Sequence, residues 1–209
     1  MGEEDHLLEY STAFFLLIVS VMFFIIFLKT RNLFLLLLSL VFFFGFGEEI
    51  SWGQRIFNFH TPESISEINV QHEFNIHNLT TFDSMKGNGA KKIIFERFLD
   101  INILYRIFSV IFLICIPLFF YHFKPHQVKN KNMRIPVAPV TIGIFFFLSW
   151  CVFYILKYFI LPQNKSIDYY RTSGEVFEFT SSYIYFMVAL YFYRDKKAAF
   201  LGKDIKQIL

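Results

Sequence analysis

Two short polar stretches interrupt a chain of long apolar runs, and both contain residues that can do chemistry. The first, EEISWGQRIF, places Glu48 and Glu49 directly after a run of phenylalanines. The second, NVQHEFNIHN, places Glu73 and His77 four residues apart. On a helix this spacing puts a carboxylate and an imidazole on one face. Such a pair can act as acid and base, or bind a divalent metal ion.

These two stretches give the predicted catalytic residues, which are Glu48, Glu49, Glu73 and His77. A divalent metal is the one cofactor considered, and its ligands would be Glu49, Glu73 and His77, a set suited to zinc, manganese or iron. The stretch lacks the H-E-x-x-H pattern of zincins and the repeated E-x-x-H of di-iron bundles. The competing interpretation is that a Glu–His pair on a surface helix is simply solvated.

The position of Glu48 and Glu49 has a plainer interpretation as well. Both lie about four residues short of the expected outer end of an apolar segment, so roughly 6 Å deep. If the helix continues outward, Glu48, Trp52 and Arg55 stack along one face. Glu48 would then pair with Arg55, Trp52 would sit in the interfacial aromatic belt, and Glu49 would reach water.

Three more charged residues fall within apolar segments, and one of them, Lys157, lies near a segment end from which it can extend to the surface. Arg106 is about 10 Å from the outer end of its segment at the helical rise, and an intramembrane arginine normally has a partner. We predict that Arg106 pairs with Glu48 or Glu49. Glu178 begins the last apolar segment and is predicted to join the same layer, whereas TSGE at residues 172–175 is predicted to be a helix-capping box.

The apolar runs predict an all-α, polytopic transmembrane helical bundle that forms one integral membrane domain over residues 1–209. The chain has 209 residues, of which 55% are hydrophobic and 31 are Phe, and its mean hydropathy is +0.46. A spanning helix needs about 20 mostly apolar residues. About five segments meet this need, at residues 12–28, 33–51, 101–123, 137–161 and 176–193.

The basic residues predict the orientation. With the N-terminus outside, the inner segments hold eleven Lys and Arg residues against two acids, Asp195 and Asp204. This bias favours an N-out, C-in arrangement with a cytoplasmic C-terminus. It also requires an odd number of spans, which agrees with five.

The largest outer loop, about residues 54–99, is predicted to contain a short amphipathic helix over residues 63–79. Thr61 suits the N-cap and Pro62 the first helical position. Because the link from the second span is short and the apolar face needs burial, we expect the helix to fold back. Glu73 or His77 would then meet Glu48 and Glu49.

The two polar stretches together resemble a pattern found in an uncharacterised group of bacterial multi-pass membrane proteins. The resemblance covers about residues 48–78. It implies a bacterial inner-membrane protein in which one set of side chains forms a unit: Glu48, Glu49, Trp52, Gln54, Arg55, Gln71, Glu73, His77 and Asn78. It implies no activity.

Three functions stay open at this stage. The first is a membrane-embedded enzyme that acts on a lipid or other amphipathic substrate. The second is an ion or proton channel or transporter, and the third is an accessory subunit whose polar groups only hold the helices and the loop together. The expected partner is the lipid bilayer. A net charge of +3 gives no sign of nucleic-acid binding, and a homo-oligomer is left open.

Overall fold

The computed structural model describes residues 3–82, 100–123, 130–155, 158–159 and 167–194. Within these residues the fold is all-α, as predicted, with a single β-bridge between Asn69 and Leu79. The α-helices are α1 (Glu3–Thr30), α2 (Leu33–Glu49), α3 (Gln54–Phe57), α4 (Glu63–Ser66), α5 (Ile101–Val110), α6 (Ile116–Phe123), α7 (Val140–Ile155) and α8 (Ile167–Arg194). A π-helical turn, Ile111–Cys115, joins α5 to α6, so residues 101–123 form one continuous helix with the predicted bounds.

A tight reversal joins α1 to α2. Arg31 adopts a left-handed conformation with φ 57°, and Asn32 follows it as the N-cap of α2. The Asn32 Oδ1 atom accepts a hydrogen bond from the Leu35 amide at 3.2 Å, which satisfies a donor that the helix leaves open. The Asn32 Nδ2 atom donates to the Arg134 carbonyl at 2.7 Å, so this buried residue also fixes the segment that precedes α7.

Close contacts at small residues join the long helices. Ser20 on α1 and Ser39 on α2 each donate to the other's carbonyl oxygen, at 2.9 and 3.0 Å. Gly143 on α7 lies so close to α5–α6 that an added Cβ would be 2.2 Å from the carbonyl oxygen of Leu113. Close approach at small residues and hydroxyl bonds between helices are typical of helix packing in membranes.

The ends of the long helices gather at two opposite poles. At one pole, Lys29 near the end of α1 lies over the ring of Tyr193 near the end of α8, with 5.6 Å between Nζ and the centroid. The α1–α2 reversal and the start of α7 are at this pole too. At the other pole, α2 ends and α5 begins, and the Ile101 amide donates to the Phe82 carbonyl at 3.0 Å. Successive long helices therefore run in alternating directions.

Large apolar side chains are exposed along every long helix, not only buried between them. The exposed set includes Phe14, Val21, Phe24, Leu37, Leu40, Phe43, Phe44, Ile107, Ile111, Leu118, Ile144, Phe145, Phe147, Leu148, Val152, Tyr183 and Met187. By length and composition, two helices among the described residues could cross a membrane, Leu7–Thr30 and Ile103–Phe123, and a shorter apolar helix spans Val140–Ile155. The chain thus has features compatible with a membrane protein.

The last long helix differs from its prediction. Helix α8 begins at Ile167, about nine residues before the predicted span. The predicted capping box at residues 172–175 is wrong, because these residues lie inside the helix and its start is elsewhere. The apolar run marked where the helix becomes hydrophobic, and helical structure extends beyond it toward the N-terminal end.

Candidate functional site

The site begins where α2 stops at Glu49, in a turn of unusual handedness. Ser51, Trp52 and Gly53 are all left-handed, with φ of 47°, 50° and 88°. Left-handed backbone costs a residue with a side chain roughly 1–2 kcal/mol, and such strain is typical of functional sites. The predicted continuation of α2, with Glu48, Trp52 and Arg55 stacked on one face, is therefore wrong. The side chain of Arg55 lies outside the described residues, so its predicted pairing with Glu48 is not addressed.

The left-handed turn folds Trp52 back onto the last turn of α2. Its ring lies against Gly47, where an added Cβ would come within 2.9 Å of the indole carbons. The ring also meets Phe44 edge-on, with 5.5 Å between the centroids. The indole Nε1 atom donates a hydrogen bond to Oε1 of Glu48. Trp52 thus reaches Glu48 by packing against Gly47, where a side chain would collide with the indole ring.

Glu48 is the centre of the site. Its side chain is buried, and its Oε2 atom accepts from the backbone amides of Ile76 and His77 at 2.7 and 2.8 Å. The Nδ1 atom of His77 lies 3.3 Å from the same oxygen. The outer loop therefore folds back and brings His77 to Glu48, which confirms that part of the prediction.

The imidazole of His77 is held on one side only. Its side chain is 32% exposed, whereas that of Glu48 is 8% exposed. The contact at Nδ1 favours the tautomer in which Nδ1 carries the proton and donates to the carboxylate. Among the described residues no hydrogen bond to Nε2 is formed, and the ring is partly exposed.

The second predicted carboxylate, Glu73, bonds to a different part of the turn. Its Oε2 atom accepts from the Ser51 hydroxyl and from Asn75 Nδ2, both at 2.9 Å. Asn75 Nδ2 also lies 3.3 Å from the Ser51 hydroxyl. Glu73 therefore holds the left-handed turn in place. The prediction that Glu73 and His77 share a helix face is wrong, because residues 73–77 are not helical.

Gln54 fastens the loop at a third point. Its Oε1 atom accepts from the Phe74 amide at 2.6 Å, and its Nε2 atom donates to the Thr61 hydroxyl at 2.7 Å. Thr61 in turn donates to the His72 carbonyl at 2.7 Å. Thr61 is therefore used within the loop and does not cap a helix. The N-cap of α4 is Pro62, which makes no side-chain capping bond.

The predicted loop helix over residues 63–79 is wrong beyond its first turn, because α4 ends at Ser66. The cause is local side-chain bonding. Asn69 Oδ1 accepts from the amides of Gln71 and Glu73 at 2.9 and 3.1 Å, and Asn75 Oδ1 accepts from that of Asn78 at 3.3 Å. Short amide side chains that take backbone donors in this way compete with helix formation.

The loop instead forms a compact hairpin-like turn that encloses the polar residues. The Val70 amide donates to the Asn78 carbonyl at 2.8 Å, and the Thr80 amide donates to the Ile68 carbonyl at 2.9 Å. Asn78, a predicted site residue, is buried here. Gln71 contributes its backbone amide to the same turn. The resemblance-based unit is thus largely brought together in space.

Arg106 does not make the predicted contact. Its Nη1 atom donates to the Tyr154 hydroxyl at 3.1 Å, and its Cζ atom lies 5.5 Å from the Phe177 ring centroid. In the described part of the chain it forms no ion pair with Glu48 or Glu49. Tyr154 on α7 and Phe177 on α8 therefore contact Arg106, where a carboxylate of α2 was predicted.

Glu49 and Glu178 lie near the site, at the end of α2 and in α8. Glu178 is within electrostatic range of His77, Glu9 and Arg106. Glu49, the last residue of α2, is half-buried and within electrostatic range of Tyr105. Both carboxylates thus lie close enough to these groups to interact with them electrostatically.

The predicted metal ligands are not assembled into one set. Across the described residues, no three acidic, histidine or cysteine side chains are grouped so that they could hold a metal ion. The oxygens of Glu48 are occupied by N–H donors, and Glu73 Oε2 is occupied by Ser51 and Asn75. This donor set fits hydrogen bonding better than metal coordination.

Sequence reasoning missed three residues that build the site. Gly47 makes room for Trp52, Asn69 shapes the loop, and Tyr154 holds Arg106. The available sequence signals were the glycine five residues before Trp52, and Asn69, which closely precedes the two residues whose amides it accepts from. Tyr154 had none, because its distance from Arg106 in sequence is 48 residues.

No protein-family model, curated protein or solved structure matches this chain. The resemblance to bacterial multi-pass membrane proteins stays a prediction, and the function must be argued from the geometry.

Proposed function

We propose that the chain is a multi-pass integral membrane protein whose outer pole carries an acid–base dyad, Glu48 and His77, that acts on a lipid or another amphipathic substrate. It crosses the membrane five times, with the N-terminus outside and the C-terminus in the cytoplasm. The exposed apolar residues on each long helix support the crossings. Lys29 and the Arg134 segment, gathered at one pole, support the orientation.

One observation carries the catalytic proposal. A buried carboxylate lies 3.3 Å from Nδ1 of a histidine whose ring is 32% exposed. A carboxylate in this position orients the imidazole and stabilises the positive charge that forms when Nε2 accepts a proton. The contact is long for a hydrogen bond, but catalytic contacts often tighten only when substrate binds.

The dyad works as follows. His77 Nε2 takes a proton from a water molecule or a substrate hydroxyl, which then attacks the reacting centre, and His77 returns the proton to the leaving group. Glu48 stays ionised, because four N–H donors point at its two oxygens. General acid–base catalysis of this kind contributes about 10²–10⁴-fold in rate.

The surroundings favour an amphipathic substrate over a soluble one. The site lies at the end of α2, whose outer face is apolar, and helix α3 beside it exposes Ile56 and Phe57, at 59% and 77%. Apolar residues flanking a polar site at a helix end suit the boundary between headgroups and acyl chains. A substrate that is anchored in the bilayer would meet His77 from this side.

A second candidate is favoured by a specific observation. The oxygens of Glu48 and Oε2 of Glu73 accept hydrogen bonds from the turn and the loop themselves. An accessory protein without catalysis would need the same network, with the carboxylates acting only to clamp the loop onto the bundle. The two candidates differ in what they require of His77, since a clamp does not need its ring.

Turnover of defined lipids tests the proposal. Purified protein is reconstituted into vesicles of phosphatidylethanolamine and phosphatidylglycerol, and mass spectrometry follows changes in lipid composition over time. We expect time-dependent product with the wild-type protein, and loss of about 10²-fold or more in His77→Gln. His60→Gln, in the exposed link before α4, is the matched control and should retain full activity.

The clamp candidate gives a different result. Glu73→Gln would then lower the melting temperature, His77→Gln would leave it nearly unchanged, and no lipid change above that of empty vesicles would appear with any variant. Product formation that persists in His77→Gln would contradict the dyad.

A further inference from the structure

Within the described residues, the guanidinium of Arg106 forms one hydrogen bond, to a neutral hydroxyl group. It has five N–H donors, and one of them donates to Tyr154 at 3.1 Å. Its plane is covered on one side by the ring of Phe177, 5.5 Å away. For the described residues, these are its hydrogen-bond and ring partners, and the carboxylate of Glu178 is within electrostatic range.

The Tyr154 hydroxyl adds a second donor at the same point. Because its oxygen accepts the bond from Arg106, its hydrogen is left to donate to another acceptor. No acceptor for it is found within the described residues. Within the described residues, the remaining N–H donors of Arg106 and the hydroxyl hydrogen of Tyr154 therefore have no hydrogen-bond acceptor.

Arg106 lies at a depth from which its side chain can reach a lipid headgroup. It is five residues beyond Ile101, where α5 begins at the outer pole, and so about 8 Å along the helix. A long arginine side chain can extend from such a depth to the headgroup layer while its stem stays among apolar residues. Its neighbours Leu104 and Ile107 are exposed, as expected at a lipid-facing seam.

We infer that Arg106 and Tyr154 form a binding site for a phosphate group, supplied by the headgroup of an anionic phospholipid. Arginine forks match the geometry of phosphate oxygens and bind them in two-point fashion. The Phe177 ring packs against the guanidinium, and the N–H donors that Tyr154 does not use are left for the phosphate.

This inference deepens the proposed function, on which it rests for the lipid substrate, by giving that substrate a phosphate. Glu178 lies within electrostatic range of both Arg106 and His77, which places the phosphate site and the dyad in one layer. Glu178 opposes an anion in the site, because like charges repel across low-dielectric surroundings. Removing its charge should therefore strengthen phosphate binding.

Native mass spectrometry of the full-length protein in detergent tests the site, with phosphatidylglycerol as the ligand and diacylglycerol as the phosphate-free control lipid. We expect phosphatidylglycerol to bind and diacylglycerol to bind at least tenfold more weakly, since charged hydrogen bonds are lost. Arg106→Gln should weaken phosphatidylglycerol binding by at least about tenfold, and Tyr154→Phe by several-fold. Glu178→Gln should strengthen it.

Controls separate the alternatives. Arg194→Gln removes an exposed charge at the opposite pole and should leave binding unchanged. If Arg106→Gln does not fold, Arg106→Lys keeps the charge without the fork and should still bind more weakly. Inorganic phosphate that displaces the lipid would identify the site as one for free phosphate as well, and this outcome still supports a phosphate site.

Two results would overturn the inference. One is an Arg106→Gln protein that binds phosphatidylglycerol as wild type does, and the other is equal binding of diacylglycerol. All these measurements are repeated in His77→Gln, which cannot turn over substrate. If wild-type protein binds phosphatidylglycerol but turns over no lipid, the proposed function is contradicted and the phosphate site is supported. If lipid is turned over but binding does not depend on Arg106, the phosphate site is contradicted and the proposed function is supported.

Discussion

The Nδ1 atom of His77 lies 3.3 Å from Oε2 of Glu48, although 29 positions separate the two residues. The backbone amides of Ile76 and His77 donate to the same oxygen, so the carboxylate fixes both the loop and the ring. One residue at the end of an apolar helix thus links that helix to the loop that follows it.

Glu48→Gln should loosen the outer loop. The amide keeps the shape of the carboxylate but loses charge-assisted bonds, which contribute about 1.5–3 kcal/mol each. We expect the amides of Ile76 and His77 to exchange with deuterium at least tenfold faster, as measured by mass spectrometry in detergent. Glu67→Gln, an exposed position in the same loop, is the control and should not change their exchange.

Gly47→Ala should displace Trp52. An added methyl would lie 2.9 Å from the indole ring, which is too close for the observed packing. We expect the emission of Trp52, measured in a Trp150→Phe background, to shift, and the contact with Glu48 to be lost. Gly174→Ala is the matched control, because a Cβ there meets nothing within 4 Å. Unchanged emission in Gly47→Ala would contradict the packing described.

Much of the bundle could be predicted from sequence, because long apolar runs specify helices without tertiary information. The helix over residues 101–123 has the predicted bounds. The loop helix could not be predicted correctly, since its apolar spacing suits a helix while Asn69 and Asn75 divert the backbone donors. Helical periodicity was present and local hydrogen bonding overrode it.

The site was only partly predictable for a similar reason. A buried Glu48 needs donors, and the nearby loop is polar and joined to its helix by a short link, so the meeting with His77 followed. Its geometry did not follow, because the left-handed conformation of Ser51 and Trp52 has no sequence signal of its own. The partner of Arg106 was assumed to be a carboxylate by charge alone, and the packing placed Tyr154 and Phe177 there.

The contact between Ser109 and Tyr185 should couple α5 to α8. Their hydroxyl oxygens are 2.6 Å apart and both side chains are buried. Measured coupling for such bonds in membranes averages about 0.6 kcal/mol and reaches about 1.7. A double-mutant cycle of Ser109→Ala and Tyr185→Phe, followed by thermal unfolding in detergent, should give a value within this range. Additive effects would mean that the bond contributes nothing.

The proposed orientation predicts where the C-terminus lies. A reporter that is active only in the cytoplasm, fused after Leu209, should be active, and one that is active only after export should be inactive. The reason is that Lys29 and the segment around Arg134 share a pole with the end of α8. Activity of the exported reporter would contradict the five-crossing arrangement.

The tautomer of His77 tests the dyad most directly. Nitrogen-15 NMR of histidine-labelled protein in lipid nanodiscs distinguishes Nδ1–H from Nε2–H imidazole, and His77→Gln identifies the signal. We predict that neutral His77 carries its proton on Nδ1, against the preference of free imidazole for Nε2, and that Glu48→Gln abolishes this preference. An Nε2–H tautomer in the wild-type protein, unchanged in Glu48→Gln, would contradict the claim that Glu48 orients His77 for acid–base chemistry.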